Sequence, residues 1–162
     1  MLEWFARIEL SLLSTAVREI WWVFPTVLVI HSLSMAMMAG FGVVISLRAM
    51  GFVASAPMAS LRRYTNIFWT GLAAAAFSGM VLLIAYPAKA LTNPLFYLKL
   101  LMLYVASGLT LQLSQTRWAS DTQKRLAFLS MAAWFAVIIA GRFLAYTHSV
   151  LMASWLVSPA GG

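Results

Sequence analysis

The 162-residue chain has no cysteine. That removes disulfides, iron–sulfur clusters, thiolate metal sites, thiol catalysis and covalent haem attachment through a Cys-x-x-Cys-His motif. Carboxylates are nearly as scarce. Glu3, Glu9, Glu19 and Asp121 are the whole set, and none falls inside a long apolar run. Only two histidines are present, His31 and His148. Few groups therefore remain for metal or acid–base chemistry, and the lack of intramembrane carboxylates argues against proton-coupled or cation-coupled transport. Charged residues make up 9% of the chain, against roughly a quarter in soluble domains. The net charge is +7, yet no basic run is interleaved with aromatic residues, so nucleic acid is not an expected partner.

What the chain has in excess is apolar surface. Hydrophobic residues reach 63%, too many for one soluble core of this length, and a lipid bilayer is the partner large enough to cover them. Four runs, at about 21–47, 66–85, 94–113 and 126–155, each supply the ~20 residues that a membrane crossing needs. Residues 1–19 are amphipathic, with Leu2, Phe5, Ile8, Leu12 and Leu13 able to share a face. This segment lacks a basic start and a small-residue cleavage site, and it reads as a helix lying in the membrane interface. The expected fold is one all-α domain over 1–162, an integral membrane four-helix bundle preceded by an interfacial amphipathic helix. Asn93 and Pro94 suit the N-cap and first position of the third span.

Loop charges predict the orientation. Arg48, Arg62 and Arg63 follow the first span, and Arg117, Lys124 and Arg125 follow the third. The opposite side carries Arg7, Arg18, Lys89 and Lys99 together with three glutamates. The first set is expected in the cytoplasm, which leaves both termini outside, in the periplasm of a Gram-negative cell. Small residues recur every fourth position: Ser32, Ala36 and Gly40; Gly71, Ala75 and Gly79; Ala106, Thr110 and Ser114; Ala132, Ala136 and Ala140. Such stripes let helices approach closely, within one bundle or between subunits.

Three polar residues inside the spans need a reason, because ionisable groups are costly in lipid. Helices one and four are antiparallel, so His31 and His148 are expected at similar depth in the outer half of the membrane. Two histidines facing each other across a bundle are the arrangement that clamps a haem. The faces around them carry Met35, Met38 and Gly42 on one helix and Gly141 and Met152 on the other, giving apolar contacts and places without side chains. The competing reading is hydrogen-bonding glue, with Ser34, Thr70, Thr110 and Thr147 as available partners. Arg142 is a permanent cation near mid-membrane with no carboxylate in any span to pair with it. Carbonyls, Tyr146, water, a haem propionate or an acidic residue of a partner subunit must satisfy it, the last two also supplying the missing charge; the competing reading is a side chain that snorkels to the interface.

The segments Trp22-Val23-Phe24-Pro25, His31-Ser32-Leu33, Gly40, Leu47-Arg48-Ala49-Met50-Gly51, Thr70-Gly71, Asn93-Pro94-Leu95-Phe96 with Lys99, and Gly141-Arg142-Phe143-Leu144-Ala145-Tyr146 span nearly the whole chain. With them the sequence resembles an uncharacterised bacterial four-helix inner-membrane family, itself distantly similar to membrane b-type cytochromes and copper-resistance D-like proteins. The resemblance implies a four-span fold, a first-span histidine at His31 and a Gly-Arg pair at Gly141 and Arg142.

These observations lead to a first expectation: a b-type cytochrome-like electron-transfer subunit of the bacterial inner membrane. It binds one haem b near the outer face between His31 and His148, with Arg142, Gly141, Met38 and Gly42 around the ring. A quinone is a candidate partner, and further protein subunits or copies of the chain are expected. Two histidines cannot ligate two haems, so one per chain is the limit. The alternative is a haem-free membrane anchor or assembly subunit.

Overall fold

A computed structural model describes residues 2–52, 58–115 and 120–146. Among them are seven helices and no strand: α1 (Leu2–Glu9), α2 (Leu12–Glu19), α3 (Val23–Ala49), α4 (Met58–Ala85), α5 (Pro87–Leu91), α6 (Pro94–Gln115) and α7 (Asp121–Tyr146). Four are long and apolar enough to cross a membrane, through Val23–Ala49, Thr65–Ala85, Pro94–Gln115 and Asp121–Leu144.

Local chemistry sets the helix ends. The amphipathic segment expected as one helix over 1–19 is two helices. Ser11 breaks it by donating its hydroxyl to Ile8 O (2.6 Å) while accepting the Ser14 N–H as the cap of α2. Helix α3 closes where Gly51 takes φ +95°. Gly51 N–H then reaches Arg48 O and Phe52 N–H reaches Leu47 O, the paired bonds of a Schellman end. Proline begins α5 and α6, and Asn93 Oδ1 accepts the Leu95 N–H at 3.0 Å. The last described helix starts at Asp121 rather than near 126. Ser120 and Gln123 exchange backbone-to-side-chain bonds there, a capping box that holds the first turn.

Helix α3 packs along α4, α6 packs along α7, and α3 also meets α7 and, more locally, α6; α4 and α6 scarcely touch. Burial is inverted relative to a soluble bundle. Leu33, Phe77, Met80, Tyr104, Phe128 and Phe143 point outward. The interior instead holds small and hydroxyl residues, Ser34, Ser46, Ser78, Ala106, Thr110 and Ser130. Lipid is as apolar as leucine, so close backbone approach rather than water exclusion selects what lies inside. Ser34, Ser46, Ser78 and Thr110 each return their hydroxyl to a carbonyl one turn back, which lets a polar group sit inside without an orphan donor. Larger side chains form one cluster toward the α3–α4 connection, where Met38, Phe41, Phe68 and Trp134 pack together.

The small-residue stripes divide between two roles. Gly71, Ala75 and Gly79 of α4, and Ala106 and Thr110 of α6, face the bundle. Ser32, Ala36 and Gly40 of α3 are exposed. The inward face of α3 is Ser34, Met38, Gly42, Ile45 and Ser46. On α7, Ala140 is buried while Ala132 is exposed.

Helices α1 and α2 lie across the end of the bundle where α3 and α6 begin. Arg18 donates to Glu9 O (2.6 Å) and to Ala85 O (3.4 Å), and Ser14 also donates to Ala85 O. The polar face of the pair thereby satisfies the C-terminal carbonyl of α4. Trp4, Leu10, Leu12 and Leu13 are left exposed, the disposition expected of helices resting on a bilayer.

Candidate functional site

The intramembrane polar cluster is built around His31, one residue drawn from each long helix. His31 stands about eight residues, or ~12 Å, into α3. Ser78 stands seven residues before the end of α4, Lys99 five residues into α6, and Gly141 five residues before the end of α7. The alternating directions of the helices bring all four to one level near the α1–α2 end.

The hydrogen bonds fix the imidazole. Nδ1 of His31 is 3.0 Å from Ser78 Oγ. The single Ser78 hydroxyl hydrogen is already directed to Ala74 O at 2.6 Å, so Ser78 accepts and Nδ1 carries the proton. Nε2 is then a lone pair. It lies 3.4 Å from Lys99 Nζ, which can only donate. Both nitrogens are engaged, one through α4 and one through α6.

Glycines make the approach possible. A Cβ on Gly79 would stand 3.2 Å from His31 Cε1, so α4 comes as near the ring as packing allows. A Cβ on Gly141 would stand 3.8 Å from Lys99 Cε, and the lysine stem runs over this bare patch of α7.

The other expected site residues are dispersed. Met38 is fully buried two turns from His31, in the aromatic cluster rather than beside the imidazole. Gly42 lies against the Trp134 indole, whose ring fills the space a side chain would need. Arg142 is exposed on the surface of α7, while its neighbour Gly141 faces Lys99. His148 lies outside the described residues, as does Thr147. The glue partner of His31 is Ser78, not Ser34, Thr70 or Thr110, each of which bonds a carbonyl of its own helix. Among the described residues no three histidines or carboxylates gather into a metal-binding group.

As a ligand set, the cluster offers one imidazole lone pair, here facing Lys99, on a ring oriented by the Ser78 hydroxyl, the usual support of a metal-bound histidine. This donor chemistry fits one axial position of a haem iron.

Sequence reasoning missed Ser78 and Lys99. Lys99 was legible as a cation inside an apolar run, the kind of residue that is functional by default in lipid, but its place near a span end made it look like a loop charge. Comparison with protein-family models, curated proteins and solved structures finds no match.

Proposed function

We propose that this chain is a b-type cytochrome-like electron-transfer subunit of the bacterial inner membrane, with both termini outside and His31 as an axial ligand to one haem b. The observation that supports it is the His31–Ser78 bond, which holds the proton on Nδ1 and leaves Nε2 as a donor inside an apolar bundle. His148 is the second ligand in this reading. Bound haem supplies one-electron chemistry at iron, and the chain supplies ligation, burial and electrostatics. Quinol is the proposed electron donor class, and a further subunit the acceptor.

A second reading is favoured by one contact. Lys99 Nζ at 3.4 Å from Nε2 already satisfies the imidazole, as polar glue in a haem-free anchor subunit would. The visible spectrum of the purified protein separates the two. The cytochrome reading expects sharp reduced bands with little carbon monoxide reactivity, lost or converted to five-coordinate in His31→Ala. Colourless protein from haem-replete cells favours the anchor.

A further inference from the structure

We propose that Lys99, seated between His31 and Gly141, is the receptor for a carboxylate carried on an apolar ligand. Lys99 is half-buried in the second turn of α6, within a stretch apolar enough to cross a membrane. Its ammonium has three N–H donors, and among the described residues its polar neighbour is a neutral nitrogen, His31 Nε2. A cation in that position calls for an anion, because an uncompensated charge in a low-dielectric surround is costly. None of the described carboxylates belongs to α6 or to the helices that bring His31 and Ser78 to it. Glu3, Glu9 and Glu19 belong to α1 and α2, and Asp121 is at the far end of α7, 3.5 Å from Lys124.

The site is shaped for a charge exchange rather than a fixed ion pair. The unbranched lysine stem lies on Gly141, where no side chain blocks its path. Nζ can leave Nε2 for an incoming carboxylate and thereby free the imidazole lone pair. Lys99 lies in a stretch apolar enough to cross a membrane, a setting that suits a ligand whose remainder is apolar. Two sources offer that chemistry, a porphyrin propionate and a fatty acid. The porphyrin case rests on the haem reading above; the carboxylate site itself does not. Sequence reasoning gave the propionate to Arg142, but that side chain is on the outer surface of α7, whereas Lys99 faces the cluster.

The test uses full-length protein in phosphatidylcholine nanodiscs, titrated with hemin, hemin dimethyl ester and oleate, read by Soret absorbance and tryptophan quenching. Wild type is expected to bind hemin at least about tenfold more tightly than the ester. Lys99→Met should bring hemin down to the ester's affinity without changing the ester's, and Lys99→Arg should restore the preference. Melting temperature reports folding, with Lys99→Gln as a second variant. Lys99-dependent binding of oleate with no porphyrin binding supports the carboxylate site and removes the haem reading. A wild type that does not distinguish hemin from its ester, a Lys99→Met protein that keeps the full preference, or no binding of any probe overturns the proposal.

Discussion

Trp134 of α7 donates its indole N–H to Thr110 Oγ1 of α6 at 2.9 Å. Thr110 gives its own hydrogen to Ala106 O at 2.8 Å, so the Ser130 hydroxyl 3.2 Å away must donate to it as well. One buried threonine oxygen thus donates once and accepts twice, which exhausts its capacity. Thr110→Val keeps the shape and leaves two donors without their acceptor. Single membrane hydrogen bonds average ~0.6 kcal/mol, and an orphaned buried donor costs ~1–3 kcal/mol. A loss of about 1–2 kcal/mol is expected in reversible unfolding in mixed micelles. Ser130→Ala should cost less, because it removes only one donor.

The same indole lies on Gly42, close enough that a methyl group there would overlap the ring. Gly42→Ala must push Trp134 out of the cluster with Phe68 and Met38, at a cost in the ~1–3 kcal/mol range of overpacked cores. Trp134→Leu removes the obstacle, so the double variant should lose clearly less than the sum of the two single losses. Additive losses would mean that the close approach carries no strain.

How much of this was legible follows from what each feature depends on. Span count, helical class and the Asn93–Pro94 start come from composition and capping, which are local. The Ser120–Gln123 box and the Ser11 break were equally local, but an apolar-run criterion passes over them because neither lies in the runs. Which face of α3 turns inward was not local. The Ser32–Ala36–Gly40 stripe has the right spacing, yet the neighbours of α3 place Ser34, Met38 and Gly42 inside. The histidine site required knowing that residues 31, 78 and 99 share a level, which depends on helix lengths and offsets. Arg142 shows the reverse limit: a sequence gives a cation's depth in a span, while its direction around the helix is set by packing.

Topology is open to a direct check. The start of α3 and the last described turn of α7 lie at the same end of a four-helix bundle, and Arg48, Lys124 and Arg125 lie at the other. With the basic end in the cytoplasm, alkaline phosphatase fused after residue 162 should be active and the same enzyme inserted between α3 and α4 inactive. The opposite pattern would reverse the orientation and move the His31 cluster to the cytoplasmic half.

Ser78 is a positioning residue in the present reading, and its role can be measured without any cofactor. Its oxygen accepts from His31 Nδ1–H while its hydrogen goes to Ala74 O, and that sequence of bonds selects the same tautomer as the Lys99 donor at Nε2. Nitrogen NMR of protein labelled at histidine, with His31 assigned by the signals lost in His31→Ala, should show Nδ1 protonated and Nε2 bare. Ser78→Ala removes the acceptor but leaves Lys99 donating to Nε2, so the proton should stay on Nδ1 while the Nδ1–H signal shifts and the ring gains mobility. Ser78→Thr keeps the hydroxyl and should restore the wild-type pattern. If haem is bound, Ser78→Ala should also shift the reduction potential, since the bond from Nδ1–H to the Ser78 hydroxyl tunes the ligand's basicity. A purely structural serine would lower the melting temperature in Ser78→Ala and leave the Nδ1–H signal and the ring's mobility untouched. An Nε2-protonated His31 in the wild type would contradict the hydrogen-bond assignment itself, and with it the availability of that nitrogen to iron.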